Sequence, residues 1–445
     1  MPLDYATALA LTAGLQVSCG ALLHRAAAAP PGAARAPAVL IAVAASVLIP
    51  LMFDRSTAYT SIGMISFLTA WLASFKALAF GANRGPLAAQ TWSLPQFVTL
   101  YALPIVPTDP HRQQLLRSRS SNGAFPGSSS GASLSGRDTT NGSKGGNGTS
   151  GSGSGSGMVT SSLVGRWVVK FVLLAAVVFG LVAEPPQLLK DILYVLGMYA
   201  LLGVVMDGPA SLGLSLLGLT LEPHFRPPWE SKSISQFWGY QWNQAASNSL
   251  RTTIYEPLME ARWVRKPKDD SPISTAVAAA AAAASVGKQQ LNGNAVPQAA
   301  ATAHPAPLAT AGKERPQHGK QLQLQMAAAL CASCLTSAVI HEFIIIYTTG
   351  RTTGGYWFVF FVIQGPLILA ERWALRFLRS NFGIQLPTLV RIAYTLTILL
   401  FLGHHLFFVP AERMGLCQNF AAAMRHFFAA LVGLEPQPLP PVHWG

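Results

Sequence analysis

Charged side chains are scarce in this 445-residue chain, where only 11% of the residues are Asp, Glu, Lys or Arg. Soluble globular domains contain about 25% charged residues, so this scarcity argues against an ordinary soluble fold. The positive mean hydropathy of +0.36 indicates the same. The composition therefore predicts a protein that lies largely within a lipid bilayer.

Acidic residues are scarcer still, with 18 Asp and Glu against 31 Lys and Arg, which leaves a formal net charge of +13. Nucleic-acid-binding proteins are also basic, but their basic residues are gathered on one face or one helix. Here the basic residues lie between the apolar runs, as the positive-inside rule expects of cytosolic loops. We therefore expect the basic residues to flank a lipid bilayer, and we do not expect the protein to bind nucleic acid.

Cysteine is also rare, since the chain has four, too few and too scattered for a disulfide framework. Cys331 and Cys334 have the spacing of a redox pair. They lie within an apolar run and outside any βαβ pattern, however, where cysteine behaves as a small buried hydrophobe. We expect no redox chemistry from them.

Eight apolar runs approach the length of about 20 residues that a transmembrane helix needs. They cover residues 5–23, 37–53, 57–81, 163–183, 188–219, 326–347, 356–377 and 386–409. A weaker ninth run at 417–432 suits the membrane interface, and a short one at 98–106 suggests an interfacial or re-entrant segment. No basic region precedes the first run, which we interpret as a retained anchor. The pattern predicts an all-α polytopic membrane protein of about eight transmembrane helices, or nine if the weak run crosses.

Two low-complexity segments divide the helical parts of the chain. Residues 108–162 are a Gly/Ser-rich tract and residues 267–320 an Ala-, Pro- and Gln-rich insert, and we expect both to be disordered. They separate three transmembrane parts at 1–107, 163–266 and 321–445. Both segments contain scattered basic residues, so we expect both on the cytosolic side of the membrane.

The most unusual feature of the apolar runs is the pair His341 and Glu342, near the middle of residues 333–347. A charged side chain at the bilayer centre costs roughly 2.5–3.5 kcal/mol on insertion scales, so such residues usually face a polar cavity. Histidine also exchanges a proton near neutral pH. The pair indicates either a proton-transfer group or a structural histidine bonded to a neighbouring helix, and the residues alone leave both open.

A second stretch, residues 233–257, combines aromatic and polar side chains. In a continuous helix Trp238 and Trp242 would share one face, since they are four residues apart. Tryptophan is enriched at the membrane–water interface, so the composition favours an anchor helix there. The alternative is the wall of a cavity, with Phe237 and both tryptophans around an inward-facing Asn243.

Several motifs in this chain resemble those of a known family. F-W-G-Y-Q-W-N at 237–243 and S-x-x-x-H-E at 337–342 resemble the wax synthase family of long-chain-alcohol O-fatty-acyltransferases, which are akin to the membrane-bound O-acyltransferases. Three further stretches are similar in the same order, namely W-L-A-S-F-K at 71–76 with R-G-P-L at 84–87, L-G-L-T-L-E-P-H-F-R-P-P-W at 217–229 and R-T-T-I-Y-E-P-L at 251–258.

The resemblance implies a helical bundle around an internal reaction cavity, located in the endoplasmic reticulum membrane. The chain departs from the family pattern at Tyr240 and Gln241, where arginine is common, and this removes positive charge from a region that would meet acyl-CoA phosphates. The two low-complexity segments are also longer than the loops of the family. Neither departure affects the histidine or the asparagine.

The activity implied by the resemblance is ester formation from acyl-CoA, as a co-substrate, and a long-chain fatty alcohol. The product is a wax ester, and no other cofactor and no metal is implied. The reaction needs a base for the hydroxyl proton and a hydrogen-bond donor for the oxyanion. In the family the embedded histidine is the base, which corresponds to His341, and Asn243 corresponds to an orienting or oxyanion donor. The residues expected to contact or orient the substrates are Phe237, Trp238, Trp242, Arg251, Lys76 and Ser337.

Other polar residues in the spans have structural interpretations as well. Glu342 lies about 100° round a helix from His341, so we expect it to bond to another helix. Lys76 lies near the end of the third span, where its ammonium would snorkel to the headgroups. His404 and His405 are rival catalytic candidates. A metal site is not expected there, since no carboxylate is nearby in the sequence and no third ligand has a useful spacing.

Two alternatives to wax ester synthesis remain at this point. The same chemistry on a sterol or a glyceride would use the same motifs. A proton-coupled transporter would use His341 and Glu342 as a proton relay. Many transporters are built from inverted repeats with broken helices, and no convincing repeat occurs in this sequence.

Overall fold

A computed structural model of the protein describes residues 3–108, 154–217, 221–266 and 315–433. Within these segments the regular structure is helical, and extended backbone pairs only at an isolated bridge between Pro107 and Leu221. This confirms the all-α prediction. The described ends of the two low-complexity segments, residues 154–162 and 315–320, are helical, so the predicted disorder is wrong there. The greater part of both segments lies outside the described residues, and its predicted disorder and cytosolic position stay predictions.

Helices follow one another along the whole described chain. The main ones are α1 (Tyr5–Ala26), α2 (Ala36–Leu48), α3 (Tyr59–Ser66), α4 (Ser74–Gly81), α5 (Leu94–Ala102), α6 (Ser154–Gly180), α7 (Gln187–Leu217), α8 (Gln244–Leu250), α9 (Glu256–Glu260), α10 (Arg315–Thr349), α11 (Tyr356–Phe382), α12 (Thr388–Gly403), α13 (Val409–Arg413) and α14 (Leu416–Leu431). Single π-helical turns join several of them, at Phe67–Ala73, Phe237–Gln241, Arg251–Tyr255 and His404–Phe408. Such turns are uncommon in proteins, and those that occur are often found at functional sites. The elements around these four turns are therefore candidates for a functional site.

Seven of the described helices are long and apolar enough to cross a bilayer, which confirms a polytopic membrane protein. They correspond to seven of the eight predicted runs. The remaining run forms the shorter apolar helix Ala36–Met52. The short piece at 98–106 belongs largely to α5, a nine-residue helix packed against α1, and the weak ninth run forms α14, of 16 residues.

Helices α10 and α11 form an adjacent pair that holds much of the site. Their close approach depends on Gly365, because a Cβ there would lie 3.2 Å from the Sγ of Cys331 and 3.4 Å from its Cα. Cys331 and Cys334 are both free thiols near this glycine. They pack between helices and form no disulfide, as expected of small hydrophobic side chains.

Glu342 joins α10 to the N-terminus of α11. Its Oε2 accepts a hydrogen bond from the Thr353 backbone N–H at 3.1 Å, and its Oε1 accepts from the Phe358 N–H at 3.3 Å and from the Thr353 hydroxyl. The first N–H groups of a helix lack partners within the helix, and a carboxylate there also meets the positive end of the helix dipole. Glu342 therefore makes the helix-to-helix bond expected from its sequence position.

Arg84 of the R-G-P-L stretch forms an ion pair with Glu256 of the R-T-T-I-Y-E-P-L stretch, 3.6 Å away, and it also bonds to residues just after that stretch. Arg84 is only 1% exposed, and its guanidinium donates to Glu260 Oε2 at 2.7 Å and to the Trp263 carbonyl at 3.0 Å. Arg265 also bonds to Glu260. Burial alone would raise the pKa of the Glu260 carboxyl, but the hydrogen bonds from Arg84 and Arg265 outweigh it and hold the pKa below its ordinary value.

Candidate active site

The F-W-G-Y-Q-W-N segment is not a continuous helix. After the π-helical turn Phe237–Gln241 the chain becomes extended at Trp242, with φ −95° and ψ 127°, and Asn243 has left-handed backbone angles, with φ 40° and ψ 76°. Helix α8 begins at the next residue. The prediction that Trp238 and Trp242 share one helix face is therefore wrong, because the helix ends between them.

The aromatic side chains of this segment pack inside the protein. Phe237 and Trp242 stack with ring centroids 5.4 Å apart and planes 14° from parallel. Trp238 Nε1 donates to Gln364 Oε1 on α11 at 3.0 Å, and its ring contacts the ring of Phe361 at 5.9 Å. These contacts favour the cavity-wall interpretation over the interfacial anchor helix that the composition favoured.

Asn243 caps α8 and also faces a cavity. Its side chain is 6% exposed, and its Oδ1 accepts a hydrogen bond from the Ala246 backbone N–H at 3.2 Å. This is the N-cap bond that asparagine commonly makes. The amide nitrogen has no hydrogen-bond partner within the described part of the chain, so it is an available donor at the cavity wall.

His341 lies on α10 with one ring nitrogen occupied. Its Nδ1 is 2.7 Å from the carbonyl oxygen of Ser337 and 3.4 Å from the Ser337 hydroxyl. A carbonyl only accepts, so Nδ1 carries the proton and donates it. The lone pair is then on Nε2, which is the protonation pattern of a general base whose orientation is fixed through its other nitrogen. Ser337 thus orients the ring, chiefly through its backbone.

Three aromatic rings surround His341. Phe361 stacks on it face to face, with centroids 3.6 Å apart and planes 17° from parallel. Trp71 contacts it edge-on at 5.1 Å, and Trp357 lies 6.4 Å away. The imidazole is therefore held by packing on several sides as well as by its hydrogen bond.

His341 and Asn243 line the same cavity, which has a volume of about 3560 Å³ and a mostly apolar wall. A cavity of this size accommodates an extended acyl chain together with a second hydrophobic molecule. The other candidates on its wall are Phe237, Trp238, Trp242, Arg251 and Ser337. The structure thus brings seven of the eight candidate residues to one cavity.

Lys76 is the exception. Its side chain is 8% exposed, and its ammonium donates to the Leu100 carbonyl at 2.6 Å and to the Leu103 carbonyl. The last carbonyls of α5 have no partners within that helix, and a cation is favourable at a helix C-terminus. The expected snorkelling is therefore wrong, and Lys76 lies outside the lining of the cavity, so its predicted substrate contact has no support from this geometry.

Trp71 is a site residue to which sequence reasoning assigned no role. It lies in the π-helical turn Phe67–Ala73, contacts His341 through its ring and donates from Nε1 to Ser249 Oγ at 3.2 Å. Ser249 belongs to α8, the helix that Asn243 caps. Trp71 therefore links the histidine to the element that carries the asparagine. The feature that could have identified Trp71 from the sequence is its position at the start of the W-L-A-S-F-K stretch.

Arg251 lies close to the positions where the chain departs from the family pattern. Its guanidinium lies 5.8 Å from the ring centroid of Tyr240 and donates to the Gly239 carbonyl at 3.3 Å. Gln241 is buried and hydrogen-bonded to Ser231. Arg251, which follows α8, thus partly replaces the positive charge that is absent at positions 240 and 241.

Four more arginines line the cavity at the end where α11 finishes and α12 begins. Arg372, Arg376 and Arg379 are spaced at helical intervals along α11, and Arg391 lies in the first turn of α12. Arg372 donates to Ser235 Oγ at 2.9 Å. Sequence reasoning assigned none of these arginines to the site. Glu371 lies beside them on the same wall, and the four arginines still leave this end of the cavity with a net positive charge.

The rival histidine pair has a different environment from the one expected. His404 Nδ1 is 2.8 Å from a carboxylate oxygen of Asp191, which is 3% exposed. A carboxylate thus lies close to His404 in space although none is near it in the sequence, because Asp191 is brought in from α7. Within the described residues no group of three or more His, Cys, Asp or Glu is arranged to hold a metal ion. Neither His404 nor His405 lines the large cavity.

The fold and the site together define a class of protein: a polytopic, all-α membrane protein with a large, mostly apolar cavity and a histidine held on its wall. No family model matches the chain. Acyl-CoA–sterol O-acyltransferase 1 of Arabidopsis thaliana is 28% identical over 208 residues, which are 46% of this chain and 50% of that protein. The long-chain-alcohol O-fatty-acyltransferase of Simmondsia chinensis is 26% identical over 243 residues, 53% of this chain and 57% of that protein.

A putative long-chain-alcohol O-fatty-acyltransferase 10 of Arabidopsis thaliana is similar to the same extent, with 26% identity over 213 residues, 45% of this chain and 49% of that protein. The chain thus spans about half the length of the curated relatives it matches. These similarities confirm the resemblance to the wax synthase family. Over about half of its length the chain is similar to named long-chain-alcohol and sterol O-acyltransferases.

Proposed function

We propose that the protein is an acyl-CoA-dependent O-acyltransferase that esterifies a long-chain fatty alcohol to a wax ester in the endoplasmic reticulum membrane. The observation that supports it most is the arrangement of His341, whose Nδ1 is tied to the Ser337 carbonyl at 2.7 Å. Its Nε2 is left as a base on the wall of a large apolar cavity. A group of this kind contributes typically 10²–10⁴-fold to the rate of a proton-transfer step.

In the proposed reaction the alcohol oxygen attacks the carbonyl carbon of the acyl thioester. Its proton moves to His341 Nε2 as the new C–O bond forms. The tetrahedral oxyanion then expels the CoA sulfur, which takes the proton from the imidazolium and leaves as a thiol. Asn243 is suited to donate to the oxyanion, because its amide nitrogen is unpartnered and its oxygen is held by α8.

The basic end of the cavity supports acyl-CoA as the acyl donor. Arginine binds phosphate groups in a bidentate manner and is well suited to a polyanionic ligand. Arg251 and the four arginines of α11 and α12 line a cavity whose remaining wall is mostly apolar. We place the CoA phosphates at the arginines and the acyl chain in the apolar part, with the thioester near His341.

The acceptor is either a long-chain alcohol or a sterol, and the names of the relatives include both. Of the three relatives described above, two are named for a long-chain alcohol and one for a sterol, at similar identity. We favour a long-chain alcohol because the F-W-G-x-x-W-N and S-x-x-x-H-E motifs resemble the alcohol-esterifying family. A sterol is the second candidate.

The experiment uses microsomes that contain the full chain, labelled acyl-CoA and a panel of fatty alcohols, sterols and diacylglycerols. We expect labelled ester from long-chain alcohols, and a raised KM for acyl-CoA when Arg372, Arg376 and Arg379 are changed together to Gln. Ester from sterol alone would replace the alcohol with the second candidate. No ester from any acceptor, at normal protein abundance, would contradict the proposal.

A further inference from the structure

A buried ionic network lies beside the Trp-rich segment and apart from the proposed reacting groups. Lys170 of α6 donates to Asp207 Oδ2 of α7 at 2.6 Å, and His224 Nδ1 lies 2.8 Å from Asp207 Oδ1. The other nitrogen of His224 is 2.7 Å from the Pro104 carbonyl. The three side chains are between 2% and 5% exposed. Charges buried to this degree are costly unless every one is paired, as they are here.

The surrounding residues are fitted to this network. A side chain on Gly203 would overlap the Cδ of Lys170, so the glycine provides the path for the lysine. The ammonium lies 5.1 Å from the ring centroid of Tyr199 and 5.2 Å from that of Phe225, within the range of a cation–π contact. The network therefore holds both His224 and Phe225 in place.

The backbone at His224 is in turn bonded to both sides of the Trp242–Asn243 step. The His224 carbonyl accepts from the Gln244 N–H at 2.8 Å, and the Arg226 N–H donates to the Gln241 carbonyl at 3.0 Å. Phe225 packs edge-on against Trp242 at 5.3 Å.

Asn243 needs such support because of its backbone. Its φ of 40° lies in the left-handed region, which is unfavourable for L-residues other than Gly and persists where the surroundings hold it. Its own side chain supplies one constraint, the cap bond to Ala246. The two backbone bonds from the 224–226 segment supply the others.

We propose that the Lys170–Asp207–His224 network positions Asn243 for catalysis, by clamping the 224–226 segment against the backbone on either side of it. The inference rests on the proposed function for its kinetic consequence, but its structural consequence does not. His224, Asp207 and Lys170 are positioning residues here. The donor to the reacting oxyanion is Asn243.

The kinetic test compares Asp207→Asn with wild type in the same membranes. The substitution leaves the Lys170 ammonium without its carboxylate, so the clamp shifts and Asn243 is displaced. A misplacement of about 1 Å costs on the order of 10²-fold in rate. We expect kcat to fall to that extent while KM for acyl-CoA stays near its wild-type value. His426→Ala, a histidine on α14 outside the cavity wall, is the matched control for His224→Ala, which should behave as Asp207→Asn does.

A rescue variant separates positioning from general damage. In Lys170→Met combined with Asp207→Asn, both charges are gone, and the amide at 207 still has a hydrogen-bond partner for His224. We expect the double variant to recover most of the lost kcat. A double variant that remains as slow as Asp207→Asn, although it melts like wild type, contradicts the proposal.

Hydrogen–deuterium exchange of the purified full chain supplies a readout that needs no activity. We expect faster exchange in peptides covering 241–250 for His224→Ala and Asp207→Asn, with exchange around His341 unchanged. Unchanged exchange at 241–250 in both variants overturns the clamp. If wild type forms no ester but the exchange result holds, the proposed function has failed and the clamp has not.

Discussion

The imidazole of His341 lies face to face on the ring of Phe361, with centroids 3.6 Å apart and planes 17° from parallel. Phe361 also contacts Trp238, and Trp238 contacts Phe237, which stacks on Trp242. A continuous chain of ring contacts thus leads from the histidine to the residue before Asn243. The F-W-G-Y-Q-W-N and S-x-x-x-H-E motifs, which are far apart in the sequence, are thus connected through Phe361, which belongs to neither.

Phe361→Leu should slow ester formation while the protein remains folded. Leucine fills most of the space but cannot stack on the imidazole, so His341 gains freedom to leave its orientation. Aromatic pairs are worth about 0.5–1.5 kcal/mol beyond their buried area, which corresponds to a loss in kcat of roughly 2- to 12-fold. Steady-state kinetics with Phe377→Leu, an exposed position on the same helix, as the control measures this effect. Equal kcat for the two variants would show that the stacking has no catalytic role.

Asn243→Asp should separate the capping role of this residue from its role as a donor. Aspartate tolerates the left-handed backbone and still accepts from the Ala246 N–H, so we expect thermal stability close to wild type. It has no amide nitrogen to offer an oxyanion, and removal of one such donor lowers kcat by about 10²–10³-fold.

The matched control for that substitution is Asn83→Asp, which has the same left-handed backbone, with φ 57°, and lies outside the cavity wall. We expect its kcat to match wild type. Asn243→Ala should lose the cap as well, at a cost of about 1 kcal/mol, and melt earlier. An Asn243→Asp enzyme with wild-type kcat is incompatible with the oxyanion assignment.

Glu342→Gln should change stability and leave catalysis nearly intact, in contrast to its neighbour His341. The carboxylate accepts bonds from Thr353 and Phe358 at the start of α11 and does not line the cavity. Hydrogen bonds to charged groups contribute about 1.5–3 kcal/mol, and the amide replaces only part of them. Thermal unfolding in detergent should show a lower midpoint, with kcat close to wild type. The reverse pattern, a normal midpoint with a large loss of kcat, would place Glu342 in the chemistry.

Glu260→Gln should destabilise the protein at neutral pH and lose this effect in acid. The pKa of Glu260 is held below its ordinary value of 4.5 in the folded state, so the carboxylate stabilises the fold above that pH. As the pH falls through the lowered folded-state pKa, the carboxyl becomes protonated and the contribution is lost. Melting midpoints of wild type and variant should therefore converge in acid. Glu184→Gln, at an exposed glutamate, is the control, and a gap that persists unchanged into acid contradicts the ion-pair account.

The long apolar helices and the unusual position of His341 could be predicted from the sequence for simple physical reasons. An apolar run of sufficient length has few alternatives to a transmembrane helix. A histidine beside a glutamate in such a run stands out because its burial is costly. The predicted separation of the two also holds geometrically, since His341 faces the cavity and Glu342 bonds to α11.

The features that could not be predicted depend on contacts between distant residues. The helix breaks at Trp242, where Asn243 adopts left-handed backbone angles. Many asparagines do not adopt these angles, so the residue type alone does not predict the break. Lys76 bonds to carbonyls at the end of α5, and His404 bonds to a carboxylate 213 residues earlier in the chain. The sequence does not distinguish Phe361 from the other apolar residues of α11, because its role depends on its contact with His341.

The most direct test of the proposed mechanism is ester formation by His341→Ala. Microsomes containing the variant, wild type or the His426→Ala control receive labelled acyl-CoA and a long-chain alcohol, and ester is measured per unit of accumulated protein. Loss of the general base should reduce turnover by 10²–10⁴-fold, to the background of the assay, while abundance and the control remain normal. A His341→Ala protein that accumulates stably and forms ester at the wild-type rate would contradict the mechanism.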